Sequence, residues 1–196
     1  MTNILDYVLE VNKIKDVKRY SIHSRACHES VADHSFLMTV LATKLIDELK
    51  LDLDFKKVIK MIVHHDFGEI GLTKDFVATR ASADAEYANM KRIYEDTTTK
   101  NIAKRYGEEI LELCNEYDAA QTREAKFVKA IDKLEATIHL MNRGAKHLDN
   151  AEFAATYALK TVRDFPELVP FLRELQSYMK PRFIAAGHSW KPEYDI

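Results

Sequence analysis

The stretch VHHDFGEI, Val63 to Ile70, gathers two histidines and two carboxylates just after an apolar run. Imidazole and carboxylate together suit a borderline or hard divalent cation. His65 and Asp66 are adjacent, so on a helix their side chains diverge by about 100° and still converge on one ion at a helix end. Two ligands hold an ion poorly, so others must come from elsewhere in the chain. His34, in SVADHSF, follows a helix-start pattern in which Ser30 is the cap and Asp33 the reciprocal acid of a capping box. Asp132, in FVKAIDKLEA, falls on the apolar stripe of Phe127, Val128, Ile131 and Leu134. A carboxylate facing a core is costly unless a positive charge meets it. Each residue alone has a plainer reading, His34 as a cap and Asp132 as the partner of a buried arginine. Together the four predict one centre, with ligands drawn from three helices around one divalent cation. Such an ion polarises a phosphoryl oxygen and acidifies a bound water. Glu69, one helical turn beyond His65, is placed to exchange a proton with that water.

The elements that must position these groups read as helices almost throughout. Ile4, Leu5, Val8 and Leu9 mark one, Leu37 to Leu49 a second, and Phe55 to Val63 a third that runs into the opening motif. Further periodic segments run over 87–94, 102–114, 124–141, 151–162 and 166–179, the last opening on Pro166. No sustained alternation of polar and apolar residues appears, and Gly and Pro are scarce, so the fold class is all-α. The predicted division is one helical domain over residues 1–180 and an extended C-terminal arm over 181–196, PRFIAAGHSWKPEYDI, packed on the domain or on a second subunit. Residues 70–85 read as a loop or lid.

Lysine and arginine number 29 against 31 acidic residues, so no overall field favours nucleic acid or an anionic membrane. No apolar run approaches the roughly 20 residues of a spanning helix. The first residues carry helical periodicity in place of a basic start and apolar core, and the two cysteines form no CxxC pair. These features point to a cytoplasmic protein with free thiols.

His34, His65-Asp66 and Asp132 resemble the H…HD…D signature of the HD-domain metal-dependent phosphohydrolases, and most closely their 5'-deoxynucleotidase branch. The similarity is carried by KRY…HESVADHSF, IVHHDFGEI and EYDAAQTREAKFVKAIDKLEA. It implies an all-helical domain, usually a homodimer, with one bound divalent transition metal (Mn, Co, Fe, Ni or Zn). The implied reaction hydrolyses a deoxynucleoside 5'-monophosphate to nucleoside and phosphate. By the same resemblance His34, His65, Asp66 and Asp132 are the metal ligands, Glu69 assists the attacking water, and Arg19 contacts the substrate phosphate. Relatives carry a Gly-Asp pair shortly after the glutamate. Here Lys74 stands at the ungapped position of that aspartate, and Asp75 takes the role if the loop shifts by one residue. Lys74 and Arg80 are the further cations that could meet phosphates. Arg25, His28 and Glu29 could line the entrance and Tyr20 could stack on a base. His64 reads as a packing residue and Glu135 as a helix-surface acid.

Between Asp66 and Asp132 the chain has no histidine, so the extra imidazoles of a dinuclear centre are missing. Hydrolysis of a deoxynucleoside triphosphate to nucleoside and tripolyphosphate is the alternative reaction for the same ligands. A non-catalytic nucleotide-binding regulator is a third reading, opposed by the presence of Glu69.

Overall fold

The computed structural model describes residues 3–19, 29–72, 76, 78–144, 146, 148 and 150–196. Ten α-helices fall among them: α1 Ile4–Asn12, α2 Val31–Leu49, α3 Phe55–His64, α4 Ala78–Ala83, α5 Ala85–Tyr106, α6 Glu109–Ala119, α7 Arg123–His139, α8 Ala151–Thr156, α9 Leu159–Arg163 and α10 Val169–Ala185. The two strands, β1 Lys18–Arg19 and β2 Glu29–Ser30, pair antiparallel with Arg19 opposite Glu29. The all-α expectation agrees with this architecture.

Two apolar clusters make the interior. The larger is built by α2, α3, α7 and α10, with Met38, Val58, Met61, Ile62, Phe127, Ile131, Leu134 and Met179 buried. The smaller gathers Ile14, Val17, Val31, Phe67, Ile70, Ile102 and Cys114. Along α2 the chain passes from Val31 of the smaller cluster to Met38 of the larger, with His34 between them. Past the end of α3 it passes from Ile62 of the larger to Phe67 of the smaller, with His65 and Asp66 between. The polar residues of interest therefore lie on the seam where the two clusters meet.

Helix ends are fixed by side chains. Ser30 caps α2 by accepting from the Asp33 amide at 3.1 Å while Asp33 Oδ2 accepts from the Ser30 amide at 2.9 Å, the reciprocal pair expected from the sequence. Asp54 caps α3, accepting from the Lys57 amide at 3.0 Å.

Four regions differ from the sequence reading. The segments at 87–94 and 102–114 are parts of a continuous α5 and of α6, divided at Gly107, whose φ of 135° suits glycine. Only Thr99, Ile102 and Ala103 of α5 are buried, so its apolar stripe is too sparse to announce one helix. The 70–85 region holds α4, and 151–162 divides into α8 and α9. At the C-terminus α10 continues through Pro181 to Ala185, because Phe183 shares the buried stripe of Met179 one turn earlier. Burial of an aromatic ring outweighs the single backbone hydrogen bond that proline forgoes. The residues after α10 fold back on it: Trp190 and Tyr194 pack edge-on to each other and to Phe183, and Gln176 Nε2 donates to the Tyr194 carbonyl at 2.5 Å.

Replacing Phe183 with Ala is expected to lower unfolding free energy by about 3–5 kcal/mol and to red-shift Trp190 fluorescence in the native state. Urea unfolding followed at the tryptophan checks both.

Candidate metal centre

The apolar stripe of α3 buries Val58, Met61 and Ile62 and ends at His64. His65 occupies the C-cap, its amide donating to the Met61 carbonyl at 2.9 Å. Asp66 then leaves helical geometry and opens a short 3-10 turn over Phe67–Glu69. Glu69 therefore stands on that turn and not on a continued helix, a correction to the one-turn spacing from His65. The chain turns because Phe67 and Ile70 enter the smaller cluster, leaving His65 and Asp66 on the seam.

His65 Nδ1 lies 2.8 Å from the Ile62 carbonyl, which can only accept, so the ring donates there and its Nε2 lone pair points away. His34 Nδ1 donates to Glu135 Oε2 in a short hydrogen bond, and its Nε2 likewise points away. Among the described residues neither buried Nε2 has a hydrogen-bond partner. Both face carboxylates: His65 Nε2 is 3.1 Å from Asp66 Oδ2, and His34 Nε2 is 3.2 Å from Asp132 Oδ1. His34, His65 and Asp66 each present a donor atom within 4.8 Å of the others, and Asp132 adjoins them through His34.

Donor atoms of His34, His65 and Asp66 gathered this closely, with Asp132 beside His34, repel one another unless a cation lies between them. Two imidazoles and two carboxylates are donors that suit a divalent transition metal.

Asp132, on the buried face of α7 as its stripe predicts, is anchored through its other oxygen. Tyr117 donates to Oδ2 at 2.5 Å and Lys133 Nζ to the same atom at 2.8 Å. Burial pushes the Asp132 carboxyl up, but Lys133 and His34 outweigh it and hold the group well below the carboxylate range. Burial likewise pushes Asp66 up, and His65 with Arg19 reverses this. His65 is lowered by burial but raised more by Asp66 and Asp132, for a net rise.

Arg19, on β1, reaches the centre's edge, its Nη1 lying 3.2 Å from Asp66 Oδ2 and its Nε 3.4 Å from Glu29 Oε2. Glu69 is buried and its Oε1 lies 3.2 Å from Lys91 Nζ on α5, which also pairs with Glu95. This pairing depends on Gly68. A Cβ there would stand 2.8 Å from Glu95 Cβ and 2.9 Å from its backbone, so only glycine lets α5 approach the turn.

Arg80 is not brought to the cluster by its described contacts. It is exposed, pairs with Asp84 at 3.6 Å one turn along, and lies over the Tyr87 ring at 4.2 Å. Lys74 and Asp75, with Tyr20, Arg25 and His28, lie outside the described residues. Glu135, read as a surface acid, is instead 3% exposed, because it lies one turn beyond Ile131 on the buried stripe. Sequence reasoning missed Lys91, Tyr117 and Lys133. Lys133 carried the only available signal, a cation next in sequence to a core-facing aspartate, whereas Tyr117 lies 15 residues away from it. His64 packs on Phe67 and lies 3.0 Å from the Tyr7 hydroxyl.

The model of the HD domain family matches residues 11–169. The chain belongs to the HD-domain family. Among its HD-domain relatives, the 5'-deoxynucleotidase HDDC2 of Dictyostelium discoideum is 32% identical over 142 residues, covering 69% of this chain and 74% of the relative. The human protein of that name is 28% identical over 194 residues, covering 94% of this chain and 90% of the relative. In structure, an HD-domain phosphohydrolase from Listeria innocua superposes with a TM-score of 0.73 at 19% identity, over 93% of this chain and 92% of that one. That likeness establishes the HD-domain fold.

Gly68→Ala is expected to cost about 1–3 kcal/mol by forcing α5 from the turn. Thermal unfolding of the metal-free protein measures it.

Proposed function

We propose that the chain is a 5'-deoxynucleotidase that hydrolyses deoxynucleoside 5'-monophosphates to deoxynucleoside and orthophosphate, with His34, His65, Asp66 and Asp132 holding one divalent transition metal (Mn, Co, Fe, Ni or Zn). The observation that carries the reading is the pair of buried Nε2 atoms facing two carboxylates, with an acid and a guanidinium alongside. The relatives named 5'-deoxynucleotidase support the choice of substrate. A bound divalent ion would supply charge neutralisation to the phosphate ester and lower the pKa of an attacking water.

The remaining chemistry falls to the chain's own groups. Arg19 would offer its guanidinium to a phosphate oxygen, the planar fork suiting that geometry. The contact with Lys91 favours the ionised form of Glu69, which is the form able to take a proton from water. Water oxygen bonds to phosphorus as the ester bond to the 5'-oxygen breaks, and the proton removed from water is returned to that leaving oxygen. Little covalent assistance is needed, because positioning and charge neutralisation dominate phosphoryl transfer.

The second subunit implied by the resemblance would find a surface on α1, where Ile4, Leu5, Val8 and Leu9 are all exposed, and on α2 at Phe36, Leu37 and Val40. A reducing cytoplasm suits Cys114, a free thiol that burial and then Asp118 push up to about 12. Among the described residues no helix is long and apolar enough to cross a membrane.

Glu69→Gln should retain metal and lose about 10²–10⁴-fold in kcat, whereas Asp132→Ala should lose metal and activity together. Metal analysis beside a phosphate-release assay separates the two variants. The wild type should release orthophosphate from deoxynucleoside monophosphates. Tripolyphosphate released from triphosphates, with monophosphates inert, would refute the assignment of substrate. Light scattering should find a dimer that Leu5→Glu combined with Leu9→Glu converts to monomer.

A further inference from the structure

Behind the metal centre lies a second buried group, Glu29 on β2 with Glu135 and His139 on α7, whose donor atoms also fall within 4.8 Å of one another. The residues are 4%, 3% and 8% exposed. Its composition admits a second cation, but charge argues against one. Asp66, Asp132, Glu29 and Glu135 are the carboxylates of the combined cluster, and Arg19, Lys133 and one divalent ion already set four positive charges against them. A second ion would leave uncompensated positive charge in a buried place, which is costly.

The contacts of this group are also directed. Glu135 Oε2 accepts from His34 Nδ1, while Glu29 Oε1 lies 3.1 Å from His139 Nδ1 and its Oε2 3.4 Å from Arg19 Nε and 4.0 Å from His34 Nδ1. The His34 imidazole thus has carboxylates on its Nδ1 side, with Asp132 and His65 beyond its Nε2.

We infer that Glu135 is a positioning residue that keeps the His34 proton on Nδ1 and thereby turns the Nε2 lone pair to the metal. Glu29, held by His139 and Arg19, lies behind it, where the charge balance disfavours a second ion. A carboxylate accepting from the far nitrogen of a ligating histidine fixes both tautomer and ring orientation and raises ligand basicity. The inference rests on the metal-centre reading above and names the residue that sets one of its ligands.

The test uses the full chain, stripped of metal and titrated with Co(II), with visible absorption and chelator competition as readouts. Glu135→Gln keeps the shape but makes a charged acceptor neutral, and it should raise the Co(II) dissociation constant about 10–100-fold with little change in the unfolding midpoint of the metal-free protein. The wild type should saturate at one ion per chain. Long-range proton–nitrogen NMR of the Zn(II)-loaded wild type should show His34 protonated at Nδ1 and metallated at Nε2, a readout independent of whether the variant folds. Unchanged Co(II) affinity in Glu135→Gln, a second tight ion, or metal on His34 Nδ1 each overturns the inference while sparing the metal-centre reading. No ion bound to the wild type overturns both.

Discussion

The structure is organised around an electrostatic conflict. Two imidazole lone pairs and two carboxylates converge on the seam between the apolar clusters, where water cannot screen their mutual repulsion. The protein's own cations relieve only part of it: Arg19 meets Asp66 and Lys133 meets Asp132, each from outside the point of convergence. What remains is a demand for further positive charge. Hydrophobic burial in the surrounding helices holds the conflict in place, since separating the ligands would pull Ile62, Val128 and Ile131 out of contact.

Three helices share the positioning, each by a different device. Helix α2 is registered at its start, where the capping box fixes Ser30 and Asp33 and thus the rotation that turns His34 inward. Helix α3 acts by stopping: its apolar stripe ends, the chain turns, and His65 and Asp66 occupy the corner. Helix α7 is buried along most of its length, so a polar side chain on its inner face must meet a partner, and Asp132 and Glu135 both do. Helix α5 adds a fourth contribution from outside, carrying Lys91 to Glu69 across the gap that Gly68 leaves open.

How much of this the sequence discloses depends on the range of the interactions. The all-helical class follows from periodicity, and the HD pair and Asp132 stand out because charged residues there violate that periodicity. The same argument applied evenly would have placed Glu135 inside, since it lies one turn beyond Ile131. The surface preference of glutamate hid that conclusion until its partner, far away on α2, was in view. Lys91 had no such signal. It sits on a mostly exposed helix with ordinary charge spacing, and its role exists only through long-range packing at Gly68. The fragmentary reading of α5 has the same origin, for a helix that buries one narrow edge shows little amphipathic pattern.

The anchoring of Asp132 carries a consequence for denticity. With Tyr117 and Lys133 engaging Oδ2, the aspartate has one oxygen to give, and it cannot wrap around an ion as a chelating carboxylate would. An ion held by His34, His65, Asp66 and a single Asp132 oxygen would keep places open for water and a phosphoryl oxygen. A phenol that need never touch substrate would thus help decide how many places such an ion keeps open for it.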